Sequence, residues 1–419
     1  MQLCIFEDAC FNRLEPLIYH RPTYDLICGI NSLRTKILHA YPDIRYTLHC
    51  RTYLGPLIKT KNPTIAVNKI DDDECLFING RILAPRNMMD IIPIADKQDK
   101  LYLNKETIIA ARVSGKRLRD LKNNLTGLFS LSDFDGIPVE QVEIRYIDYI
   151  WDITNNNIEQ LKHDFQFLKN KKENIILGKV HPGAHLVESD NIFIAEGAEI
   201  KPGAVLDASL GPIYIDKNAT VFANSVVEDT VYLGEYSQIR SCAQVYHGVS
   251  IGKMCKVGGE VEDTVILSYS NKQHSGFLGH AYLGSWVNIG ADTNCSDLKN
   301  NYGFVKVYVN GEIVDSGVQF LGVIMGDHSK TAINTMFNTG TIAGYSCNIF
   351  GAGFPDKYLP SFSWGGADTV TTYDIQKSIE TAEKVMLRRN YIMTDLDKNL
   401  FKKIFNLTAK EREKRGYPY

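Results

Sequence analysis

The sequence predicts an α/β domain followed by a three-sided parallel β-helix and a C-terminal α-helix, and three observations carry the prediction. Across residues 180–348 a branched or long aliphatic residue returns every sixth position, in phase at Ile215, Val221, Val227, Leu233, Ile239, Val245, Ile251 and Val257. Before about residue 170 that period is missing, and short apolar runs alternate with segments of helical spacing. Beyond Pro360, Ile375, Ile379, Ala382 and Met386 fall on one helical face. A period of six suits one flat face of a triangular prism, where each short strand buries one aliphatic side chain and then turns on compact residues; three hexads make one coil. Helical spacings of three and four, or strand alternation of two, do not give six.

A chain of 419 residues is long enough for two domains, and 44% hydrophobic with 23% charged residues is an ordinary globular composition. The formal net charge of −3 and a sequence pI of about 6.4 provide no global basic field, so neither nucleic acid nor an anionic membrane is expected as a partner. Small molecules are. No apolar run approaches about 18 residues, and Met1-Gln2-Leu3-Cys4 lacks a basic leader, which leads to the expectation of a cytoplasmic protein. The nine cysteines form no C-x-x-C pair and read as reduced thiols, with no metal site among them.

In chain order, residues 1–172 form the first domain. Leu3 to Phe6 reads as a strand, Ser32 to Ala40 as a helix, and Cys75 to Ile78 as a strand running into the Asn79-Gly80 turn. Asp71, Asp72, Asp73 and Glu74 read as a solvated turn before that strand. Ile158, Leu161, Phe165 and Leu168 set a second helix over 155–168, and the lysine-rich joint at 169–173 sets the boundary. The β-helix is placed at 173–360 and a helical tail at 361–419. Val180, Leu186 and Ile192 keep one phase and Ile194, Ile200 and Leu206 another; Leu210-Gly211-Pro212 resets it before Ile215. The period lapses over 269–279, resumes at Leu283 and Ile289, and breaks at Asp292 into an excursion with a hairpin turn at Asn310-Gly311. From Val318 it is read through Ile324, Met336 and Ile342, with Lys330 and Asn348 at in-phase positions.

The run Asn271-Lys272-Gln273-His274-Ser275-Gly276-Phe277-Leu278-Gly279-His280-Ala281, continuing through Leu283-Gly284-Ser285-Trp286-Val287-Asn288-Ile289-Gly290-Ala291, resembles the acetyltransferase signature of the bifunctional N-acetylglucosamine-1-phosphate uridylyltransferase/glucosamine-1-phosphate acetyltransferase family. The whole chain is similar to a divergent branch of that family with a nucleotidyltransferase-like α/β domain and a left-handed, hexapeptide-repeat β-helix. The resemblance implies that His274 is the general base toward the sugar amine, a task suited to an imidazole that titrates near neutrality. Arg240 would hold the sugar phosphate, Asn288 would place sugar or base, and backbone amides near Ala291 would face the thioester oxyanion. Acetyl-CoA would be the co-substrate. In the family three prisms pack with the acetyl-donor site between neighbours, so a homotrimer is implied, with Arg388 and Arg389 meeting CoA phosphates across that interface. Each residue also has a plainer reading, as a surface histidine, a coil-bridging arginine, a turn asparagine or solvated helix-end cations.

Departures from the family pattern bear on the substrate. Where the family is basic, this chain reads Gly258-Gly259-Glu260-Val261-Glu262-Asp263, and Phe277 stands at a family tyrosine. Lys299 and Lys306 in the excursion are candidates for the missing positive charge, and His328 beside Asp327 reads as structural. The N-terminal frame Ala9-Cys10-Phe11-Asn12-Arg13-Leu14-Glu15-Pro16-Leu17 and Arg21-Pro22 keeps the family outline without the glycines that let backbone amides approach a triphosphate. The family's magnesium aspartate falls near Asn79-Gly80-Arg81, where an arginine cannot coordinate Mg²⁺. Arg13, Arg21, Arg34 and Lys36, with Asp152 as a later carboxylate, remain the candidate nucleotide contacts. Three functions follow: a sugar-phosphate acyltransferase working in the β-helix; a sugar-1-phosphate nucleotidyltransferase using UTP or dTTP, the one case that needs Mg²⁺; and a non-catalytic sugar-nucleotide sensor or scaffold.

Overall fold

The computed structural model describes residues 1–123, 125, 127–169 and 175–417. They form two compact units: Met1–Leu14, Ile18–Leu26 and Asn31–Tyr149; and Glu15–Leu17, Ile27–Ile30 and Ile150–Tyr419. The helix Ile150–Lys169, longer than the predicted 155–168, belongs to the second unit. The predicted joint past Lys169, including Glu173, lies outside the described residues.

In the first unit, strands β1 (Gln2–Phe6), β2 (Tyr46–His49), β3 (Ala66–Val67), β4 (Glu74–Asn79), β5 (Lys100–Asn104), β6 (Thr107–Ser114) and β7 (Val139–Gln141) form one mixed sheet in the order β3-β2-β1-β4-β6-β5-β7. The first strand is central and parallel to β2 and β4, so it reads as a continuous apolar run buried on both faces. Ser32 caps the helix Leu33–Ala40 through a hydrogen bond accepted from the Thr35 amide. Phe6, Phe77 and Phe129 pack edge to face at 5.2–6.4 Å beneath the sheet.

The second unit is a three-sided parallel β-helix. Its first face stacks nine strands from Ile192–Ile194 to Tyr358–Leu359 and its second eight from His185–Val187 to Met336–Phe337. The third runs from Lys179–Val180 to Asn271–Lys272, is carried across a single bridge at Asn288, and resumes at Lys330–Thr331. Every residue of the predicted central phase, Ile215 through Val257, is fully buried. Coil corners at Asn218, Tyr236, Met254, Tyr269 and Trp286 take left-handed backbone, with φ of 56–69°, which turns the chain between faces.

Three expectations are corrected. The 269–279 lapse is a shortened coil, not a break: Leu233 stacks on Ile251 and Ile251 on Ile266, and all three faces continue through Val265–Ile266, Asn271–Lys272 and Phe277–Gly279. The late phase is one residue off: Met325, Thr331, Phe337, Ala343 and Ile349 occupy the inward register, while Ile324, Lys330, Met336, Ile342 and Asn348 face outward. A single-residue slip exchanges the two faces. Ile324 and Ile342 are buried although they face outward, which hides the slip. Past residue 360 the third face gains Ser363–Gly365 and antiparallel Val370–Thr372, and three helices follow instead of one: Ile375–Leu387, Asp395–Leu407 and Ala409–Lys414. The hairpin predicted at Asn310-Gly311 pairs Lys306–Val309 with Glu312–Asp315.

Because Ile251 is sandwiched between Leu233 and Ile266 with no exposure, Ile251→Ala is expected to lower unfolding free energy by about 2–5 kcal/mol. Leu210→Ser, at a side chain 73% exposed, is expected to change it by less than about 0.5 kcal/mol. Urea unfolding of the two variants checks the contrast.

Candidate active site on the β-helix

One corner of the prism gathers three of the predicted residues, Arg240, His274 and Ala291, within a stack of four coils. Arg240 lies below Gly258, Gly258 lies below Gln273, and the Ser275–Gly276 segment next to His274 lies below Asp292 and Thr293. The step between Arg240 and His274 has no side chains. A Cβ at Gly258 would stand 2.5 Å from the Gln273 carbonyl oxygen and 3.2 Å from Arg240 Cβ; one at Gly259, where φ is +71°, would stand 2.8 Å from the His274 carbonyl oxygen. The glycines are therefore required by close approach: their Cβ positions are taken up by the coil above, so between Arg240 and His274 the prism presents bare backbone. Arg240 rests over the Phe222 ring at 4.7 Å and donates to Gln238. His274 is exposed, and its Nε2 lies 3.0 Å from Gln273 Nε2. The Gly290-Ala291 corner stands one coil above, tied by the Asp292 amide donating to the Ser275 carbonyl.

On the flat third face, sharing Gln273 with this corner, is a cleft of about 420 Å³ lined among others by Lys256, Asn288, Lys330, Arg388 and Arg389. Asn288 reaches it because it bridges the outward positions Asn271 and Lys330. The helix Ile375–Leu387 ends over this face and delivers the two arginines to a cleft of their own chain, where Arg389 donates to Asn271 at 2.9 Å. Tyr269 and Trp286 stack at 4.2 Å on its wall. Burial, then Arg389, Arg240 and Arg388, lowers the Lys256 ammonium pKa, and burial alone pushes that of Lys330 down to about 8. None of the lining residues is acidic, so the cleft suits a phosphate-bearing ligand.

Lys272, missed in the sequence reading, points into the prism. It takes the inward position above Val257, is 1% exposed, and donates to the carbonyls of Gly258 at 2.9 Å and His274 at 2.8 Å. Burial pushes its ammonium down to about 8. The only signal in the sequence was its place in the lapse of the hexads.

Other predicted contacts do not join this site. Phe277 is half-buried and opposite Glu260, which is opposite Gln244, so the row it belongs to is not the one of Arg240. Glu260 accepts from the Tyr246 hydroxyl. Lys299 donates to the Phe304 carbonyl at 2.6 Å, and Lys306 is exposed on the hairpin. His328 is 2% exposed between Trp286 and Phe401, as a structural histidine would be.

In the first unit the segment that replaces a glycine-rich loop is a short 3₁₀ turn, Phe11–Leu14. Arg81 is buried and grips Asp8 through two bonds of 3.0 and 2.6 Å, with Asp148 at 3.2 Å. Arg13 also binds Asp148, at 2.6 Å. The carboxylates that could attract Mg²⁺ are thus neutralised by guanidinium groups, so this donor set does not fit the ion. Asp148, not Asp152, is the carboxylate of the network; Asp152 lies on the helix assigned to the second unit. Lys36 is 3% exposed inside its helix packing, and Arg34 pairs with Asp25 at 3.0 Å.

Residues 3–173 match the family model for sugar nucleotidyl transferases. Bifunctional protein GlmU of Bartonella quintana is 25% identical over 318 residues, 71% of this chain and 64% of its own; that of Rippkaea orientalis is 31% identical over 164 residues, 38% and 30%. The chain therefore spans less than two thirds of these relatives' length. Among solved structures, the UDP-N-acetylglucosamine acyltransferase of Francisella novicida overlaps 56% of this chain and 77% of its own at 15% identity, with a TM-score of 0.28. LpxA of Acinetobacter baumannii overlaps 57% and 83% at 12% identity, with a TM-score of 0.24. Superpositions this loose have no bearing on function. Among the described residues no helix is long and apolar enough to cross a membrane.

Two stability predictions follow from the buried cations. Arg81→Ala strands Asp8 and is expected to cost about 3–5 kcal/mol in urea unfolding. Lys272 and Lys330 have folded pKa values near 8, below the roughly 10.4 of an unfolded lysine. Between those values the unfolded chain binds more protons, so stability rises with pH; the penalty is complete below about 8. The stability advantage of a Lys272→Met/Lys330→Met double variant is therefore expected to shrink by about 1–3 kcal/mol per lysine between pH 7 and pH 10, read from paired melting curves.

Proposed function

We propose that this chain, a divergent GlmU-like protein with a sugar nucleotidyl transferase domain over residues 3–173, works as an acetyl-CoA-dependent N-acyltransferase on an amino-sugar 1-phosphate. The observation that carries this reading is the side-chain-free Gly258-Gly259 step between Arg240 and His274, beside a cleft lined by four cations and no carboxylate. The sugar phosphate sits against Arg240, with Asn288 and Gln273 orienting it. The His274 imidazole takes a proton from the amine as nitrogen attacks the thioester carbonyl; the N–C bond forms, the C–S bond breaks, and CoA leaves as thiol. Amides of the Gly290-Ala291 corner face the developing oxyanion. Lys256, Lys330, Arg388 and Arg389 hold the CoA phosphates. A cytoplasmic homotrimer is part of the same reading.

Nucleotidyl transfer is the second reading, favoured by the family match over residues 3–173. The Arg81 grip on Asp8 opposes a magnesium-dependent version of it. Magnesium-dependent pyrophosphate release from UTP or dTTP with a sugar 1-phosphate would support it, and ligand binding without any turnover would support a sensor.

With glucosamine 1-phosphate and acetyl-CoA, thiol release followed with a disulfide dye is expected in the wild type. His274→Ala should lower kcat about 10²–10⁴-fold, and Arg240→Ala should raise KM for the sugar phosphate about tenfold or more. No thiol release across amino-sugar phosphates and acyl donors, or full activity in His274→Ala, would overturn the proposal.

A further inference from the structure

A lysine inside an aliphatic column needs a reason. One coil earlier the inward position holds Val257, and the following coil places Ile289 there. An aliphatic residue at 272 would continue the column without burying a charge, and a buried ammonium is costly unless its donors are met. Here they are met by carbonyls of two adjacent coils. Lys272 Nζ donates to Gly258 at 2.9 Å and His274 at 2.8 Å, with the Ser275 carbonyl at 3.4 Å. These are the backbone groups of the glycine step and of the His274 segment one coil above it. The chain here is the shortened coil, and Gly259 and Gly276, both at positive φ, leave little local backbone preference for the observed path. Asp292 and Glu260 are the acidic groups that favour the ammonium.

We propose that Lys272 is a positioning residue: from inside the prism it ties the His274 backbone to the Gly258 backbone and so fixes the imidazole over the glycine step. This rests on the acyl-transfer reading for its catalytic consequence, though not for its structural one. The inward face of a β-helix is ordinarily a passive filler; at this coil it serves as the clamp for the outward corner. Lys272→Met keeps the length and apolar stem, removes all three donors, and suits the column, so it is expected to fold and to melt no lower than the wild type. Lys272→Gln retains a donor and serves as the second variant.

The test pairs hydrogen exchange with kinetics on the full chain. In Lys272→Met, amide exchange over 273–276 should accelerate at least about tenfold with an unchanged or higher melting temperature, and kcat for thiol release should fall about 10–100-fold while KM for acetyl-CoA stays within about threefold. Lys272→Gln should fall between the two on both measures. Exchange at the wild-type rate in a folded Lys272→Met, whatever its kcat, would overturn the proposal. If Lys272→Met does not fold, wild-type exchange and kcat in Lys272→Gln overturn it equally. Faster exchange in Lys272→Met combined with no thiol release from the wild type would leave the clamp standing and remove the acyl-transfer reading instead.

Discussion

In-register stacking of short parallel strands, each burying one side chain in the prism, is the constraint on which the second unit depends. Coils rise by about 4.8 Å, so residues at one corner of successive coils are spaced by the hydrogen-bond ladder and not by their own preferences. Arg240 and His274, separated by two coils, are thereby held roughly 10 Å apart along the prism, with the Gly258 and Gly259 backbone between them. No loop has to order itself to create that spacing. His274 is exposed at its corner, so it has to be held still from inside or from the C-terminal helix that lies over the third face.

Both units use buried cations where an uncharged solution was open. In the first, Arg81 occupies the position between Asp8 and Asp148, and Arg13 shares Asp148. Two guanidinium groups match the charge of one divalent ion but offer none of the exchangeable ligand positions on which metal-assisted phosphate chemistry relies. In the second, Lys272 and Lys330 take inward and outward places on the same face, and each donates to a backbone carbonyl. The cations of the α/β unit are thus held by carboxylates, whereas Lys330 and Arg389 of the β-helix cleft donate to a carbonyl and an amide oxygen, with no carboxylate in the lining.

What could be read from the sequence follows from what each signal measures. The hexads were legible because inward positions respond to a single demand, an apolar side chain of fixed size, and Ile215 through Val257 meet it. After residue 318 the same demand misled: Ile324 and Ile342 are buried on the outward side, next to Tyr282, whose hydroxyl is held by Ile27, so apolarity no longer reported direction. Lys272 was invisible for the converse reason, since a lysine does not announce an inward position. His274, Asn288 and Arg388 were singled out from motif and placement. The joining of Arg388 and Arg389 to Asn288 depended on where a helix ends in space, which no local pattern encodes. Asp148 was passed over for Asp152 because a sequence pattern fixes a neighbourhood and a salt bridge fixes an atom.

The central claim is that the working surface of this chain is the corner and cleft of the β-helix. Hydrogen-exchange footprinting of the full chain with saturating acetyl-CoA tests it most directly. Protection is expected at segments 256–259, 273–276, 286–291 and 385–389, and it should be lost from the last three in Arg388→Ala/Arg389→Ala. Protection confined to residues 1–149, or no protection anywhere at millimolar acetyl-CoA, would contradict it.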